Sequence, residues 1–297
     1  MHPAPSALRR AAAAATIALL TTAVGCAPQP DDKASGGSSS SASSTGTTCA
    51  KGKLATESSG KLTIATDEPA YEPWFKDDKP ANGQGFESAV AYAVAKQLGY
   101  DKSAVVWQRV PFNKAFAPGV KTFDFDINQV SISTERKKAV DFSSGYYDVR
   151  QAVIALKGSK AAKATSIADL KGLKLGAQVG TTSLNYIGDV VKPSQEAAAY
   201  SKNDQAISAL RNGQVDAIVT DLPTAFYVTA AQVTNAEIVG QFENQGGTPE
   251  QFGLVLDKGS DLTSCVTSAV DSLRKDGTLA KLDKQWLSDA VGAPVLK

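Results

Sequence analysis

Apolar and polar positions change their period several times along the chain after Lys61. Residues 62–66 alternate with a period of two, as a strand does, whereas residues 86–98 repeat apolar side chains at helical spacing and stop at Gly99. The same patterns predict further strands at 105–110, 125–130, 151–156, 173–177, 215–220 and 252–256. They predict further helices at 181–187, 204–210, 222–230, 262–275 and 279–287. Alternating strands and helices are typical of an α/β protein with parallel strands.

The first 26 residues have the pattern of an export signal. Arg9 and Arg10 precede an apolar run at 11–24, which is too short for the roughly 20 residues that a membrane-spanning helix needs. Gly25-Cys26 follows, and residues 23–26 resemble a bacterial lipobox, although Ala23 stands where Leu is more common. We therefore expect residues 1–25 to be removed and Cys26 to carry lipid, including palmitate. The alternative is a soluble secreted protein with an ordinary cleavage site.

A Ser-, Gly- and Thr-rich stretch occupies much of residues 26–60, and such composition behaves as a flexible tether. Behind it only Cys49 and Cys265 remain as cysteines. In an exported chain an isolated pair predicts one structural disulfide, and two free thiols are the alternative.

Composition and charge exclude several classes of protein. The chain of 297 residues has 31 basic and 30 acidic residues, and removal of residues 1–25 leaves 29 basic and 30 acidic residues. This balance gives no support for a nucleic-acid binder, which usually has an excess of basic residues. The single histidine, His2, lies in the segment expected to be removed. A mature chain without histidine has no Ser-His-Asp or Cys-His mechanism and no usual zinc site. We expect no catalytic residues, no metal and no cofactor.

Three segments at strand ends carry candidate binding chemistry. In the segment 129–136, Ser131 offers a hydroxyl and Arg136 a planar fork that suits a carboxylate, although a solvated surface arginine is the simpler alternative. In the segment 178–183, Gly180 permits a tight turn before a predicted helix. The first N–H groups of a helix lack internal partners and attract an anion. The alternative is that this segment only caps the helix. Neither segment contains a nucleotide-binding pattern.

The third segment, 215–221, is an apolar strand that ends in Asp221. This carboxylate suits an ammonium group, and it also suits the cap of the following helix, which has Pro223 at an early position. Arg136 for a carboxylate and Asp221 for an ammonium together describe a site for an α-amino acid. Aromatic residues that could wall such a site, or belong to the core instead, are Tyr71, Trp74 and Phe112.

Many stretches in one order resemble the bacterial family-three extracellular solute-binding proteins of polar amino acid ABC transporters. The resemblance extends over residues 62–287, and no single stretch carries it alone. The matching stretches are 62–67, 85–99, 131–136, 140–143, 146–147, 167–172, 180–182, 276–279 and 286–287.

This resemblance implies a periplasmic-binding-protein-like type II fold. It has two lobes, each a mostly parallel sheet flanked by helices, with two crossover strands as the hinge and the ligand between the lobes. The implied boundaries are 61–147 plus 253–297 for lobe 1, 152–242 for lobe 2, and 148–151 with 243–252 for the hinge.

The resemblance also implies a role for each matching site residue. Arg136 would hold the α-carboxylate with Ser131 and the backbone N–H of Thr182, which follows Thr181. Asp221 would take the α-ammonium with Ser131 and the carbonyl of Gln129. Tyr71 and Phe112 would enclose the ligand side chain. The side-chain pocket would be lined by Asp67, Glu68, Gln178 and Ser183.

The implied function is capture of a polar L-amino acid outside the cytoplasm and its delivery to an ABC permease, without chemistry. The protein would be a monomer, held on the outer face of the cell membrane by its lipid. Asp67 and Glu68 favour Arg, Lys, His or Gln as ligand, with cystine as an alternative. Gln129 stands where the family often has Ser, which places an extra amide at the pocket. A sensory receptor and, less favoured, a dehydratase-like enzyme are the alternatives.

Overall fold

The computed structural model of the protein describes residues 49–50, 53–287 and 292–297. The predicted export signal, the predicted lipid on Cys26 and most of the predicted tether lie outside these residues. Within them, no helix combines the length and the apolar character that crossing a membrane requires.

Ten strands and eight α-helices form the described part of the chain. The strands are β1 Leu62–Thr66, β2 Val105–Arg109, β3 Phe125–Asp126, β4 Val140–Val149, β5 Gln151–Leu156, β6 Leu175–Gln178, β7 Ala198–Tyr200, β8 Ala217–Asp221, β9 Ala236–Gln241 and β10 Glu250–Asp257. The helices are α1 Phe86–Gln97, α2 Phe112–Ala115, α3 Ile167–Leu170, α4 Thr182–Tyr186, α5 Asn203–Arg211, α6 Leu222–Tyr227, α7 Thr263–Lys275 and α8 Thr278–Trp286. Two π-helical stretches, Ile187–Val191 and Val228–Gln232, continue α4 and α6.

The strands make two five-stranded sheets, and each sheet is the centre of one lobe. Lobe 1 has the order β2-β1-β3-β10-β4, covered by α1, α2, α7 and α8. Lobe 2 has the order β7-β6-β8-β5-β9, covered by α3 to α6. The two-lobed α/β architecture expected from the sequence is present. Each sheet is mixed, because the last two strands of each order pair antiparallel with their neighbours.

The chain crosses between the lobes through extended segments. β4 runs into β5 with only Arg150 between them, and β9 returns to β10 through residues 242–249. The β10 residue Glu250 pairs with Val149 of β4, so the two crossing segments lie side by side. The ends of both lobes' sheets therefore face one cleft beside these segments.

Each lobe is stabilised by its own cluster of buried apolar side chains. In lobe 1, Trp74 is fully buried and makes edge-on contacts with Phe86, Tyr147 and Phe252, with ring centroids 5.4 to 6.0 Å apart across this aromatic group. Aromatic pairs favour this geometry. In lobe 2, Val153 and Val219 lie on the inner face of the sheet in a second buried cluster.

The C-terminal residues 292–297 correct one expected boundary. The sequence assigns 253–297 to lobe 1, but Val295 pairs with Gln241 of β9, and Leu296 is 2% exposed in the core of lobe 2. Gly240 makes this possible, because a Cβ there would clash with Leu296. The chain thus crosses between the lobes a third time and reaches lobe 2 for the second time.

The predicted disulfide is confirmed. Cys49 and Cys265 are bonded, and their Cα atoms lie 5.3 Å apart. Cys265 is buried in α7, so the bond joins the start of the described chain to lobe 1.

One predicted strand is shorter than its pattern suggests. The apolar and polar sequence predicts a strand over 125–130, but the ladder of β3 ends at Asp126. Gln129 has φ of 49°, a left-handed conformation that a strand residue does not adopt. The backbone therefore turns here and carries Ser131 towards β10, where it bridges to Phe252.

Candidate functional site

One cavity between the lobes collects eleven of the twelve predicted ligand-binding residues. It is lined by residues of both lobes and of the crossing segment that begins β5. The predicted residues that line it are Asp67, Tyr71, Phe112, Gln129, Ser131, Arg136, Gln178, Thr181, Thr182, Ser183 and Asp221.

Arg136 approaches the cavity from lobe 1 at the start of a 3-10 turn, Arg136–Lys138. Its Nη1 donates to the carbonyl of Ser131 at 2.7 Å, and its Nη2 donates across the cleft to the carbonyl of Gly180 at 2.8 Å. The guanidinium also stacks over Phe116, 4.3 Å from the ring centroid. Burial lowers its pKa to about 10, and the charge of Glu250 opposes this shift. Arg136 is therefore a charged, oriented donor in the cleft.

Ser131 and Thr182 bring hydroxyl groups from opposite lobes to within 3.3 Å of each other. Thr182 begins α4, and Thr181 caps that helix by accepting from the N–H of Leu184 at 3.1 Å. The tight turn at Gly180, with φ of 78°, directs the N-terminus of α4 towards lobe 1. The expected N-cap is thus present, and it positions a hydroxyl from lobe 2 against Ser131.

Asp221 ends β8 and caps α6, where its Oδ1 accepts from the N–H of Thr224 at 2.9 Å. Burial raises the pKa of Asp221 to about 6, while the hydrogen bonds from Thr224 act in the opposite direction. Both uses considered from the sequence coexist here: the carboxylate caps a helix and lines the cavity. It can accept hydrogen bonds from a cation.

Aromatic side chains wall the cavity in two places. Tyr71 donates its hydroxyl proton to Asp204 of lobe 2 at 3.0 Å. Phe112 is 8% exposed and packs edge-on against Phe116, with centroids 5.1 Å apart. Trp74 belongs instead to the lobe 1 core, but its Nε1 donates to Thr224 of lobe 2 at 2.9 Å. These contacts show that the cleft is closed.

Asp67 is the acidic side chain that lobe 1 presents to the cavity. It is 6% exposed, its Oδ1 accepts from the N–H of Glu68 at 2.7 Å, and burial raises its pKa. Glu68 itself is exposed and lies outside the cavity, and its carbonyl accepts from Lys202 of lobe 2 at 2.9 Å. Only one member of this predicted acidic pair therefore lines the site.

Gln129 lines the cavity, but its amide is held from behind. Its backbone N–H donates to Glu87 Oε1 at 2.7 Å, and its side-chain Nε2 donates to the other oxygen of the same carboxylate. Tyr146 also donates to Glu87, which is completely buried. Burial raises the pKa of Glu87 to about 7, against the hydrogen bonds from Tyr146 and Gln129. The amide of Gln129 thus belongs to a buried network beneath the site.

The sequence did not indicate Gln151, which lines the cavity, or Glu250, which contacts three lining residues without lining the cavity itself. The Glu250 carboxylate accepts from Ser131 Oγ at 2.5 Å and from Thr182 Oγ1 at 2.7 Å, and Gln151 Nε2 lies 3.2 Å from the same oxygen. Strand alternation could have found Glu250, because it lies two residues before Phe252 and on the same face. The predicted strand began only at Phe252.

Other cavity residues had no chemical motif to mark them. Asn128 is 3% exposed, and its Nδ2 has no hydrogen-bond partner, which leaves a donor available to a ligand. The remaining cavity residues that the sequence did not single out are Asn203, Val219, Thr220, Thr224 and Phe252. Across residues 49–50, 53–287 and 292–297, no cluster of three or more His, Cys, Asp or Glu side chains is placed to hold a metal ion.

Comparisons with known proteins agree with this arrangement. The family model for "Bacterial extracellular solute-binding proteins, family 3" matches residues 62–289. The probable histidine-binding protein of Campylobacter jejuni is 28% identical, over 80% of this chain and 90% of that protein. The L-cystine-binding protein TcyJ of Escherichia coli is 30% identical, over 77% of this chain and 82% of that protein.

A solved structure shares the fold. An ancestral arginine-binding protein bound to arginine superposes with a TM-score of 0.64 at 32% identity, covering 76% of this chain and 98% of that one. The predicted fold class and the predicted family resemblance are both confirmed. The chain therefore belongs to the bacterial extracellular solute-binding proteins of family 3.

Proposed function

We propose that this protein is the extracytoplasmic substrate-binding component of an ABC importer for a polar L-amino acid. The observation that carries the proposal is that Arg136, Ser131 and Thr182 meet Asp221 in one closed cleft. A planar cation and hydroxyl donors suit a carboxylate, and a buried carboxylate suits an ammonium. The family and the named binding preferences of its relatives support the same conclusion.

The ligand's α-carboxylate binds between Arg136 and the Ser131 hydroxyl of lobe 1 and the backbone N–H and hydroxyl of Thr182 of lobe 2. Its α-ammonium binds at Asp221. We assign the hinge to residues 148–151 and 243–252, so that ligand contacts made by both lobes favour the closed form. The protein binds without converting its ligand, in keeping with relatives that are named as binding proteins.

Asp67, Asn128 and Gln178 line the part of the cavity left for the ligand side chain. A carboxylate and two amides suit a donor-rich side chain such as that of Arg, Lys, His or Gln. Cystine is the alternative, since relatives that are named for cystine share the fold and Tyr71 and Phe112 provide aromatic walls. Glu68 is left out of this pocket.

The test is titration calorimetry of the fragment 49–297 against the twenty amino acids, ornithine, citrulline and cystine. The protein is first unfolded and refolded without reductant, which removes carried-over ligand and keeps the disulfide. Saturable heat is expected for one or a few polar L-amino acids, and their D-enantiomers serve as the matched control. Absence of binding across the whole panel would overturn the proposal.

The protein acts as a monomer, attached to the outer face of the membrane by lipid on Cys26. Labelled palmitate should be incorporated into the full chain expressed in bacteria and should be lost in Cys26→Ser. Equal labelling of both chains would contradict the anchor, and it would leave the calorimetric result unaffected.

A further inference from the structure

We propose that Glu250 is an internal occupant of the carboxylate subsite, which a ligand must displace in order to bind. The proposal rests on the proposed function, because it assigns Ser131 and Thr182 to the ligand's carboxylate. In this proposal Glu250 lowers the affinity for the ligand and makes no contact with the bound ligand.

The Glu250 carboxylate takes the donors that an incoming carboxylate needs. Its Oε1 accepts from Ser131 Oγ at 2.5 Å and from Thr182 Oγ1 at 2.7 Å. Gln151 Nε2 lies 3.2 and 3.3 Å from its two oxygens. The positive charge of Arg136 is close enough to interact with it. Hydroxyls, amide and cation are the donor set of an anion site.

Occupation by Glu250 and by a ligand is mutually exclusive at these groups. Each hydroxyl has a single proton to donate, so Ser131 and Thr182 cannot serve two carboxylates at once. The amide of Gln151 is fixed in orientation because its Oε1 accepts from Ser183 at 2.6 Å, which turns Nε2 towards Glu250. Two carboxylates at this place would also repel each other.

The fold holds Glu250 in this position from both sides. It is the first residue of β10 and pairs with Val149 in the crossing segment. Two residues later, Phe252 bridges to Ser131, and the carbonyl of Gln251 accepts from the N–H of Ile132 at 2.8 Å. With the two backbones held side by side, the side chain of Glu250 reaches the hydroxyl of Ser131.

Glu250 also joins the lobes. Ser131 belongs to lobe 1 and Thr182 to lobe 2, so one carboxylate oxygen bridges the cleft at the place proposed for the ligand. This bridge stabilises the closed form, and the displacement of Glu250 reduces the net binding energy of a ligand.

The test compares Glu250→Ala and Glu250→Gln with the natural chain and with Glu243→Gln. Glu243 is an exposed residue of the same proposed hinge segment, 243–252, so its variant removes the same charge from that segment but away from the donors. All are refolded as above and titrated with L-arginine, L-lysine, L-histidine, L-glutamine and L-cystine. Small-angle X-ray scattering gives the radius of gyration with and without each ligand.

We expect Glu250→Ala to bind its best ligand about tenfold more tightly than the natural chain. Glu250→Gln should fall between, because its amide oxygen still accepts weaker, neutral hydrogen bonds. Glu243→Gln should match the natural chain. Without ligand, Glu250→Ala should have a larger radius of gyration than the natural chain, and ligand should bring the two together.

Equal or weaker binding by Glu250→Ala would overturn the proposal, since Glu250 would then be neutral or a ligand-binding residue. If no chain binds any of the five amino acids, the proposed ligand class fails, and the scattering comparison still decides about Glu250. In that case, an equal radius of gyration for Glu250→Ala and the natural chain without ligand would overturn the proposal that Glu250 holds the lobes closed.

Discussion

Arg136 of lobe 1 donates a hydrogen bond of 2.8 Å to the carbonyl of Gly180 in lobe 2. The same guanidinium holds the carbonyl of Ser131 in its own lobe at 2.7 Å. An arginine has five N–H donors, so further donors are available to a ligand after these two contacts. One side chain thus joins the two lobes and is proposed to bind the carboxylate, so substitutions at Arg136 and Gly180 test the proposed site directly.

Replacing Arg136 with alanine should raise the dissociation constant of the ligand about 100-fold, because a buried hydrogen-bonded charge is lost. Arg136→Lys should lose less, since the charge stays but the planar fork does not. Calorimetry measures both, and circular dichroism should show an intact fold. Arg211→Ala is the control, because Arg211 is exposed at the end of α5, away from the cavity and the proposed hinge. Near-normal affinity in Arg136→Ala would contradict the assigned role.

Replacing Gly180 with alanine should weaken ligand binding about tenfold or more. A Cβ at Gly180 would overlap Oδ1 of Asn113 in lobe 1, and φ of 78° disfavours alanine there. The overlap with Asn113 arises between lobes and hinders closure, whereas the strain from the positive φ lies within lobe 2. Gly213→Ala is the matched control, because Gly213 also has a positive φ, 67°, and its Cβ would meet nothing within 4 Å. Equal affinities of the two variants, measured by calorimetry, would count against a cleft that closes on Asn113.

Replacing Asp221 with asparagine should raise the dissociation constant about 100-fold, because the ammonium loses its charged partner. The cap of α6 should largely survive, since an asparagine oxygen also accepts from the N–H of Thr224. Asp189→Asn, at an exposed position after α4, removes the same charge and should bind normally. Unchanged affinity in Asp221→Asn would show that the ammonium binds elsewhere.

Ligand affinity should fall as the pH drops below about 6. The pKa of Asp221 is about 6 in this cleft, and a bound ammonium stabilises the ionised form and so lowers that pKa. Binding is therefore strongest above this value and weakens about tenfold per pH unit well below it. Titration calorimetry from pH 5 to 8 measures the slope. The slope should vanish in Asp221→Asn, and its persistence there would assign the proton to another group.

Replacing Glu87 with glutamine should flatten the pH dependence of stability. Burial raises the pKa of Glu87 from 4.5 to about 7, so its contribution to stability is full below pH 4.5 and is lost as the pH rises through 7. For this one group the loss amounts to about 3 kcal/mol between those limits. Glu87→Gln should gain stability at pH 8 relative to the natural chain.

Urea unfolding of the two chains from pH 4.5 to 8 checks this. Glu196→Gln, at an exposed position, should follow the natural chain throughout. If Glu87→Gln kept the natural pH dependence, that dependence would belong to a different carboxylate, such as Asp126, whose pKa is also raised by burial.

In α/β folds, ligands bind at the carboxyl ends of the strands, and this is why the site could be predicted from the sequence. Ser131, Thr182 and Asp221 each follow a strand or begin a helix at a sheet end, and chemistry placed there converges in α/β folds. The charge types of Arg136 and Asp221 then indicated a zwitterion. Those residues needed only local patterns and one general rule of topology.

The remaining features depend on contacts between distant segments. Glu250 reaches the site because β10 lies beside the Ser131 segment, and residues 242–249 give no sign of that. Strands β4, β7 and β9 were missed, since short or mixed patterns become strands only when a neighbour pairs with them. Residues 292–297 can return to lobe 2 because Gly240 has no Cβ, which would clash with Leu296.

The bond between Cys49 and Cys265 has a mechanical consequence. Any pull transmitted along the chain from before Cys49 enters the folded part at α7 of lobe 1, because the covalent cross-link carries the load past residues 53–60. If the proposed lipid anchor holds the chain before Cys49, lobe 1 is the fixed lobe and closure of the proposed hinge moves lobe 2 towards it. A partner permease would then detect closure as a change in the position of lobe 2.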